Sequence, residues 1–135
     1  RYVADIAVRG LNDAGKVIKG SNVLILGVTY KENVPDTRES PVSAMVEELQ
    51  EYGANIYGSD PFVTNEELRR FGVTPYSEGS GRMDCVIAAV GHDRFRCMSL
   101  AEIKGMMNGD PVLIDVRGLF DGEAAEREGF CYWRL

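Results

Sequence analysis

The sequence predicts a doubly wound α/β domain: a mainly parallel sheet with helices on both faces. Three observations lead there. Val23-Leu24-Ile25-Leu26-Gly27-Val28, Cys85-Val86-Ile87-Ala88-Ala89-Val90 and Val112-Leu113-Ile114-Asp115-Val116 are continuous apolar runs rather than alternating ones. Strands buried on both faces of a parallel sheet read that way. Helical patterns separate the runs and the connections are short, so strand and helix alternate along the chain.

The elements follow in order. Val3, Ile6, Ala7, Leu11, Ala14 and Val17 form a near-helical stripe that ends between Gly15 and Gly20, predicting a first helix with a loose end. The first buried strand follows at 23–28. Ser40 can cap a helix whose first residue is Pro41, whose missing N–H costs nothing there; Val42, Met45, Val46 and Leu49 follow at helical spacing and Gly53 ends it. A short strand is expected at Asn55–Ser59, a short helix at Thr64–Arg70 after Asp60-Pro61, and an edge strand at Val73–Tyr76. Ser77-Glu78-Gly79-Ser80-Gly81 reads as a flexible loop. After the second buried run, a helix from Ser99 to Met107 is expected with Leu100, Ile103, Met106 and Met107 as its inner face. The third run and a last strand at Phe130–Trp133 complete the sheet.

Composition narrows the function. The chain has 135 residues, 15 Lys and Arg against 21 Asp and Glu, and a net charge of -6. One domain of ordinary composition is expected, and the acidic balance argues against a nucleic-acid partner. No apolar stretch approaches the roughly 20 residues that span a bilayer. Arg1-Tyr2-Val3 shows neither an initiating Met nor a signal-peptide core, so the chain reads as a piece of something longer. Cys85, Cys97 and Cys131 are odd in number and lack zinc spacing, which suits free thiols in a reducing cytoplasm. With one histidine and no clustered ligands, no metal site is expected.

In open parallel sheets, ligands bind beyond the carboxyl ends of the strands, where strand order reverses. Three loops leave the buried runs: residues 29–38, residues 91–96 and residues 117–121. Each carries at least one cation, and a local cationic cluster in an acidic chain suits an anion held by directed contacts, phosphate above all. The dinucleotide fingerprint GxGxxG is missing, since Gly27 is followed by Val28, Thr29 and Tyr30, and there is no Walker A sequence. Phosphate would therefore be held by side chains, with Lys31 as a point charge and Arg38 as a bidentate fork.

At this loop the sequence resembles a known family. Gly27-Val28-Thr29-Tyr30-Lys31-Glu32-Asn33-Val34-Pro35-Asp36-Thr37-Arg38-Glu39-Ser40-Pro41 is similar to the G-x-x-[YF]-K-x-x-x-x-D-x-R-x-S-P stretch opening the C-terminal UDP-binding domain of the UDP-glucose/GDP-mannose dehydrogenase family. Ser59-Asp60-Pro61 resembles its next strand end and Asp115-Val116-Arg117-Gly118 its later D-x-R loop. The Tyr-Lys and Arg-Glu-Ser-Pro details look most like the UDP-N-acetylmannosamine or N-acetylgalactosamine dehydrogenase branch. The resemblance implies a Rossmann-like fold, with residues 1–18 as the end of a connecting, dimerising helix and 19–135 as the nucleotide-sugar domain. It implies an NAD-dependent oxidation of a UDP-N-acetylhexosamine, UDP-N-acetylmannosamine first among them, to its uronic acid in a cytoplasmic homodimer or higher oligomer serving polysaccharide biosynthesis. By the same resemblance Tyr30, Lys31 and Arg117 contact the substrate, and Arg38 reaches NAD, which is bound mainly by an N-terminal domain. The family's nucleophilic cysteine, catalytic lysine and glycine fingerprint lie outside these residues, so no catalytic residue is assigned and the 135 residues alone should be inactive.

Residue by residue, Asp36 reads as fixing its loop through backbone N–H groups or Arg38. Asp60 reads as a turn or helix-capping residue before Pro61 rather than a ribose acid. His92, at a strand exit, could do acid/base work but is read as structural. Cys85, Met106 and Met107 read as packing. The alternative reading is a non-catalytic nucleotide-binding or protein-interaction module on the same scaffold, which fold alone does not exclude.

Overall fold

The structure is a computed structural model and describes residues 2–38 and 40–135. In chain order the elements are α1 (Tyr2–Asp13), β1 (Asn22–Leu26), α2 (Val42–Glu51), β2 (Asn55–Ser59), α3 (Asn65–Arg70), β3 (Thr74–Pro75), β4 (Met83–Ala88), α4 (Asp93–Arg96), α5 (Leu100–Gly105), β5 (Met107–Asp115), α6 (Gly122–Arg127) and β6 (Cys131–Arg134). The six strands form one sheet in the order β3-β2-β1-β4-β5-β6. Every neighbouring pair is parallel.

The three apolar runs are the three central strands. Their side chains divide by the two-residue period of a strand. Val23, Ile25, Cys85, Ile87, Val112 and Ile114 enter the core on one face. Leu24, Leu26, Val86 and Leu113 enter the core on the other.

Strand order places the helices. From β1 the chain steps outward through β2 to β3, then returns to β4 and steps the opposite way. Right-handed crossovers therefore put α2 and α3 on one face and α4, α5 and α6 on the other. The first face of the β4–β6 half is covered by α1, whose Ala4, Ile6, Ala7 and Leu11 are all buried. Gly10 allows the close approach: a Cβ there would lie 2.9 Å from Val112 Cγ1 and 3.0 Å from Trp133 Nε1.

Local chemistry explains the helix starts. Ser40 Oγ accepts from the Val42 N–H at 3.3 Å, but α2 begins at Val42, one residue later than expected, with Pro41 rather than Ser40 at the cap position and no side-chain cap there. Thr64 and Ser99 each close a capping box, with Glu67 and Glu102 respectively. Such caps contribute about 1 kcal/mol each.

Several boundaries differ from expectation. α1 ends at Asp13 and Val17 is exposed, because the chain turns at Gly15. α5 ends at Gly105, so Met107 is not on a helix face; it opens β5 opposite Met83 and is buried there. The 77–81 loop contains a 3₁₀ turn at Glu78–Ser80, closed by Ser77 and Ser80. Helices α4 and α6 were not anticipated.

Candidate functional site

Strand order reverses between β1 and β4, so the loops leaving these strands open the crevice where a ligand belongs. The first loop turns sharply at Gly27, whose φ of +96° is a left-handed conformation that glycine tolerates. A Cβ there would also stand 2.6 Å from Val90 Cβ, so the β1 and β4 exits meet at this glycine. Further on, the Tyr30 N–H donates to the Asp36 carbonyl at 2.8 Å and closes the loop on itself.

Tyr30, Lys31, Glu32 and Val34 from this loop, Val90 and Gly91 after β4, and Arg117 after β5 line a cleft of about 440 Å³. The Lys31 ammonium lies 5.9 Å from the centre of the Tyr30 ring. Glu32, the acid of the cleft, is paired with Arg96 at 3.3 Å. Among the described residues no carboxylate pairs with Lys31 or Arg117; Arg117 Nε donates to the Ala89 carbonyl at 3.4 Å. The cleft thus presents two cations from different strands and one aromatic wall, an arrangement suited to a phosphorylated ligand with a flat or ring-shaped body. Tyr30, Lys31 and Arg117, singled out in the sequence, come together here.

Arg38 does not line this cleft. Its guanidinium makes a bidentate pair with Asp36, Nε–Oδ1 at 3.0 Å and Nη2–Oδ2 at 3.1 Å, and its side chain is 87% exposed. Hydrogen bonds from Arg38 hold the Asp36 carboxyl below its ordinary value, and Asp36 in turn raises Arg38. Asp36 thus fixes the loop as its position suggested.

The later loop is held by its own strand. Asp115, the wholly buried last residue of β5, accepts from the Leu119 N–H at 2.8 Å and the Phe120 N–H at 2.9 Å, and the Tyr132 hydroxyl donates to it at 2.7 Å. Burial, reinforced by this bond to Asp115, pushes the Tyr132 phenol up. Arg117 sits inside the turn so formed, at its start.

Asp60 does more than was expected of it. Its Oδ1 accepts from the Phe62 N–H at 2.9 Å, the anticipated turn contact. Its Oδ2 accepts from the Val28 N–H at 2.8 Å and lies 3.0 Å from His92 Nε2. In dinucleotide-binding sheets an acid near this strand end holds a ribose hydroxyl. Here both oxygens are occupied within the protein. No signal in the sequence spacing linked Asp60 with His92, 32 residues away.

A second cleft, of about 260 Å³, opens beyond β1, β2 and β3 between Leu26, Ser59, Tyr76, Arg94, Phe95 and Met98. It contains none of the residues singled out as ligand contacts. No group of three or more His, Cys, Asp or Glu side chains placed to hold a metal occurs among the described residues. No helix among them is long and apolar enough to cross a membrane. Burial pushes the Cys85 thiol up, consistent with its packing role.

The chain is similar to known proteins. Residues 24–122 match the family described as "UDP-glucose/GDP-mannose dehydrogenase family, UDP binding domain". UDP-N-acetyl-D-glucosamine 6-dehydrogenase of Salmonella typhi is 37% identical over 127 residues, covering 93% of this chain and 30% of the relative. UDP-N-acetyl-D-mannosamine dehydrogenase of Methanococcus maripaludis is 27% identical over 131 residues, covering 96% of this chain and 30% of the relative. The chain therefore spans under a third of the length of these relatives. In fold, it superposes on NDP-N-acetyl-D-galactosaminuronic acid dehydrogenase from Methanosarcina mazei with a TM-score of 0.87 at 24% identity, covering 99% of this chain and 28% of that one.

Proposed function

Because the chain belongs to the UDP-glucose/GDP-mannose dehydrogenase family as its UDP-binding domain, we propose that it grips the substrate of an NAD-dependent UDP-sugar 6-dehydrogenase acting on a UDP-N-acetylhexosamine. One observation carries the reading: Lys31 and Arg117, on loops from different strands, line one cleft without an acid partner among the described residues. The sugar class is supported by relatives named for UDP-N-acetylglucosamine and UDP-N-acetylmannosamine.

In this reading Lys31 supplies a point charge and Arg117 a planar fork to the diphosphate, while the Tyr30 ring walls the cleft. The chain contributes binding and orientation, and the oxidation belongs to the remainder of the protein. NAD would supply a hydride acceptor. The residues described do not fit it as a dinucleotide site of their own: Gly27-Val28-Thr29-Tyr30 lacks the glycine fingerprint, and both Asp60 oxygens are taken. What remains for a cofactor held elsewhere is Arg38, exposed and poised on Asp36. Assembly as a homodimer through a helix ending in α1 belongs to the same proposal.

Calorimetric titration with UDP tests the reading. Removing one of two charge-assisted contacts costs about 1.5–3 kcal/mol, so Lys31→Ala and Arg117→Ala should each weaken UDP binding roughly 10- to 100-fold. Unchanged affinity in both variants would remove the cleft as the nucleotide site.

A further inference from the structure

We propose that His92 is the positioning residue of the nucleotide cleft, a neutral imidazole clasp that sets Tyr30 and Lys31 in place. The proposal rests on the reading of that cleft as the UDP site. It begins from the burial of the ring: His92 is 0% exposed and lies between Phe62 and Phe95, with ring centroids at 4.9 Å and 5.6 Å. A group so enclosed does not touch a ligand, which excludes the acid/base role its position at a strand exit could suggest.

Both ring nitrogens are engaged, and their partners assign the tautomer. The Asn33 N–H donates to Nδ1 at 2.8 Å, so Nδ1 carries no hydrogen. Nε2 therefore carries it, toward Asp60 Oδ2 at 3.0 Å and Thr29 Oγ1 at 3.1 Å. The Thr29 hydroxyl donates its own hydrogen to the Lys31 carbonyl at 2.8 Å, which leaves its oxygen free to accept from the imidazole.

These contacts bracket the ligand residues. Thr29 and Asn33 stand on either side of Tyr30-Lys31-Glu32, and one imidazole bonds both. Asn33 has a φ of +60°, a left-handed conformation that non-glycine residues adopt at some energetic cost. It is held there by His92 and by a reciprocal pair with Asp93: the Asn33 side-chain amide donates to Asp93 Oδ1 at 3.2 Å, and the Asp93 N–H donates to Asn33 Oδ1 at 3.0 Å. Through Asp60 the clasp is tied to the Val28 N–H, at the root of the loop. Ordering a loop on binding lowers affinity, so a loop fixed beforehand binds more tightly.

Two substitutions separate the two halves of the ring. Asparagine can place an acceptor where Nδ1 stands, and glutamine a donor where Nε2 stands. Amide hydrogen exchange and UDP calorimetry are read together on the 135-residue chain. His92→Gln should speed exchange at Asn33 and Tyr30 at least tenfold and raise the UDP dissociation constant about tenfold. His92→Asn should restore much of both, even though each variant loses stability. Unchanged exchange in His92→Gln, or no rescue by His92→Asn, would overturn the clasp. A measurement on the unsubstituted chain does not depend on variants folding: long-range ¹H–¹⁵N correlation should show hydrogen on Nε2 and none on Nδ1, and the opposite tautomer would also overturn it. Unchanged UDP affinity in both Lys31→Ala and Arg117→Ala would instead overturn the ligand reading, while exchange at Asn33 still decides the clasp.

Discussion

The two loops that supply the cleft are built by different means. The later one, carrying Arg117, is a local structure. Asp115 at the end of β5 collects two N–H groups four and five residues ahead, and the neighbouring strand adds the Tyr132 hydroxyl. The first loop, carrying Tyr30 and Lys31, is longer and more exposed, with Tyr30 47% accessible. It is anchored across the sheet instead, by Asp60 beyond β2 and His92 beyond β4. A turn held mainly by its own strand takes its shape from contacts close in sequence. A loop held by two distant strands acquires its shape only when the sheet is complete. The contrast makes the first loop the element through which long-range changes in the fold would reach the cleft.

The largest expected effect follows from the deepest anchor. Asp60→Ala would leave the Val28 and Phe62 N–H groups without their acceptor and the His92 Nε2–H with Thr29 Oγ1 alone. At roughly 1–3 kcal/mol for each buried unsatisfied group, a loss of about 3 kcal/mol or more is expected. For a chain of this length that lowers the melting temperature by about 10 °C. Thermal unfolding followed by circular dichroism would show it, and a shift of only a degree or two would mean that the first loop is held by something else.

An intermediate effect belongs to the later loop. Tyr132→Phe removes one of three donors to Asp115 and keeps the ring, so a loss of about 1–2 kcal/mol is expected. UDP affinity should stay near that of the unsubstituted chain, because the two backbone bonds still shape the turn. A large loss of affinity with little loss of stability would show that this loop, too, depends on a distant strand.

The smallest effect is at the surface. The Asp36 carboxyl is held below its ordinary value of 3.8 by hydrogen bonds from Arg38. Its folded-state value lies below the unfolded one, so its contribution is present above the ordinary carboxylate range. It is lost as pH falls from there through the depressed value. Carbon-detected NMR titration should place Asp36 below 3.8, with Arg38→Ala raising it part of the way back, because the residue-38 N–H still donates to Asp36 Oδ1. The pair is exposed, so salt should weaken the shift. An Asp36 value insensitive to Arg38→Ala would sever that link.

Much of the scaffold was legible before the structure. The central strands announced themselves as unbroken apolar runs, and α2 was marked at both ends by Ser40-Pro41 and Gly53. The missed helices have physical reasons. α4 has four residues and buries only Phe95, and α6 has six and buries only Ala125, so neither carries a stripe from which a period can be read. Asp121 before α6, which accepts from two of its N–H groups, and Gly129 after it were signals that could have marked its ends. Met107 was misassigned because the spacing of Leu100, Ile103 and Met106 continues onto it while the backbone has already left the helix. At the site, Tyr30, Lys31 and Arg117 were legible as cations and an aromatic at strand exits and from the family resemblance. Their anchors were not, because the bond from Asn33 to His92 joins residues 59 apart and no local pattern encodes it.

Mapping UDP onto the chain by ¹H–¹⁵N NMR titration tests the proposed nucleotide cleft most directly. The amides of Tyr30, Lys31, Gly91 and Arg117 should move together with one affinity, while Tyr76, Arg94 and Met98 in the second cleft stay still. Perturbations confined to the second cleft, or none at Lys31 and Arg117, would contradict that reading.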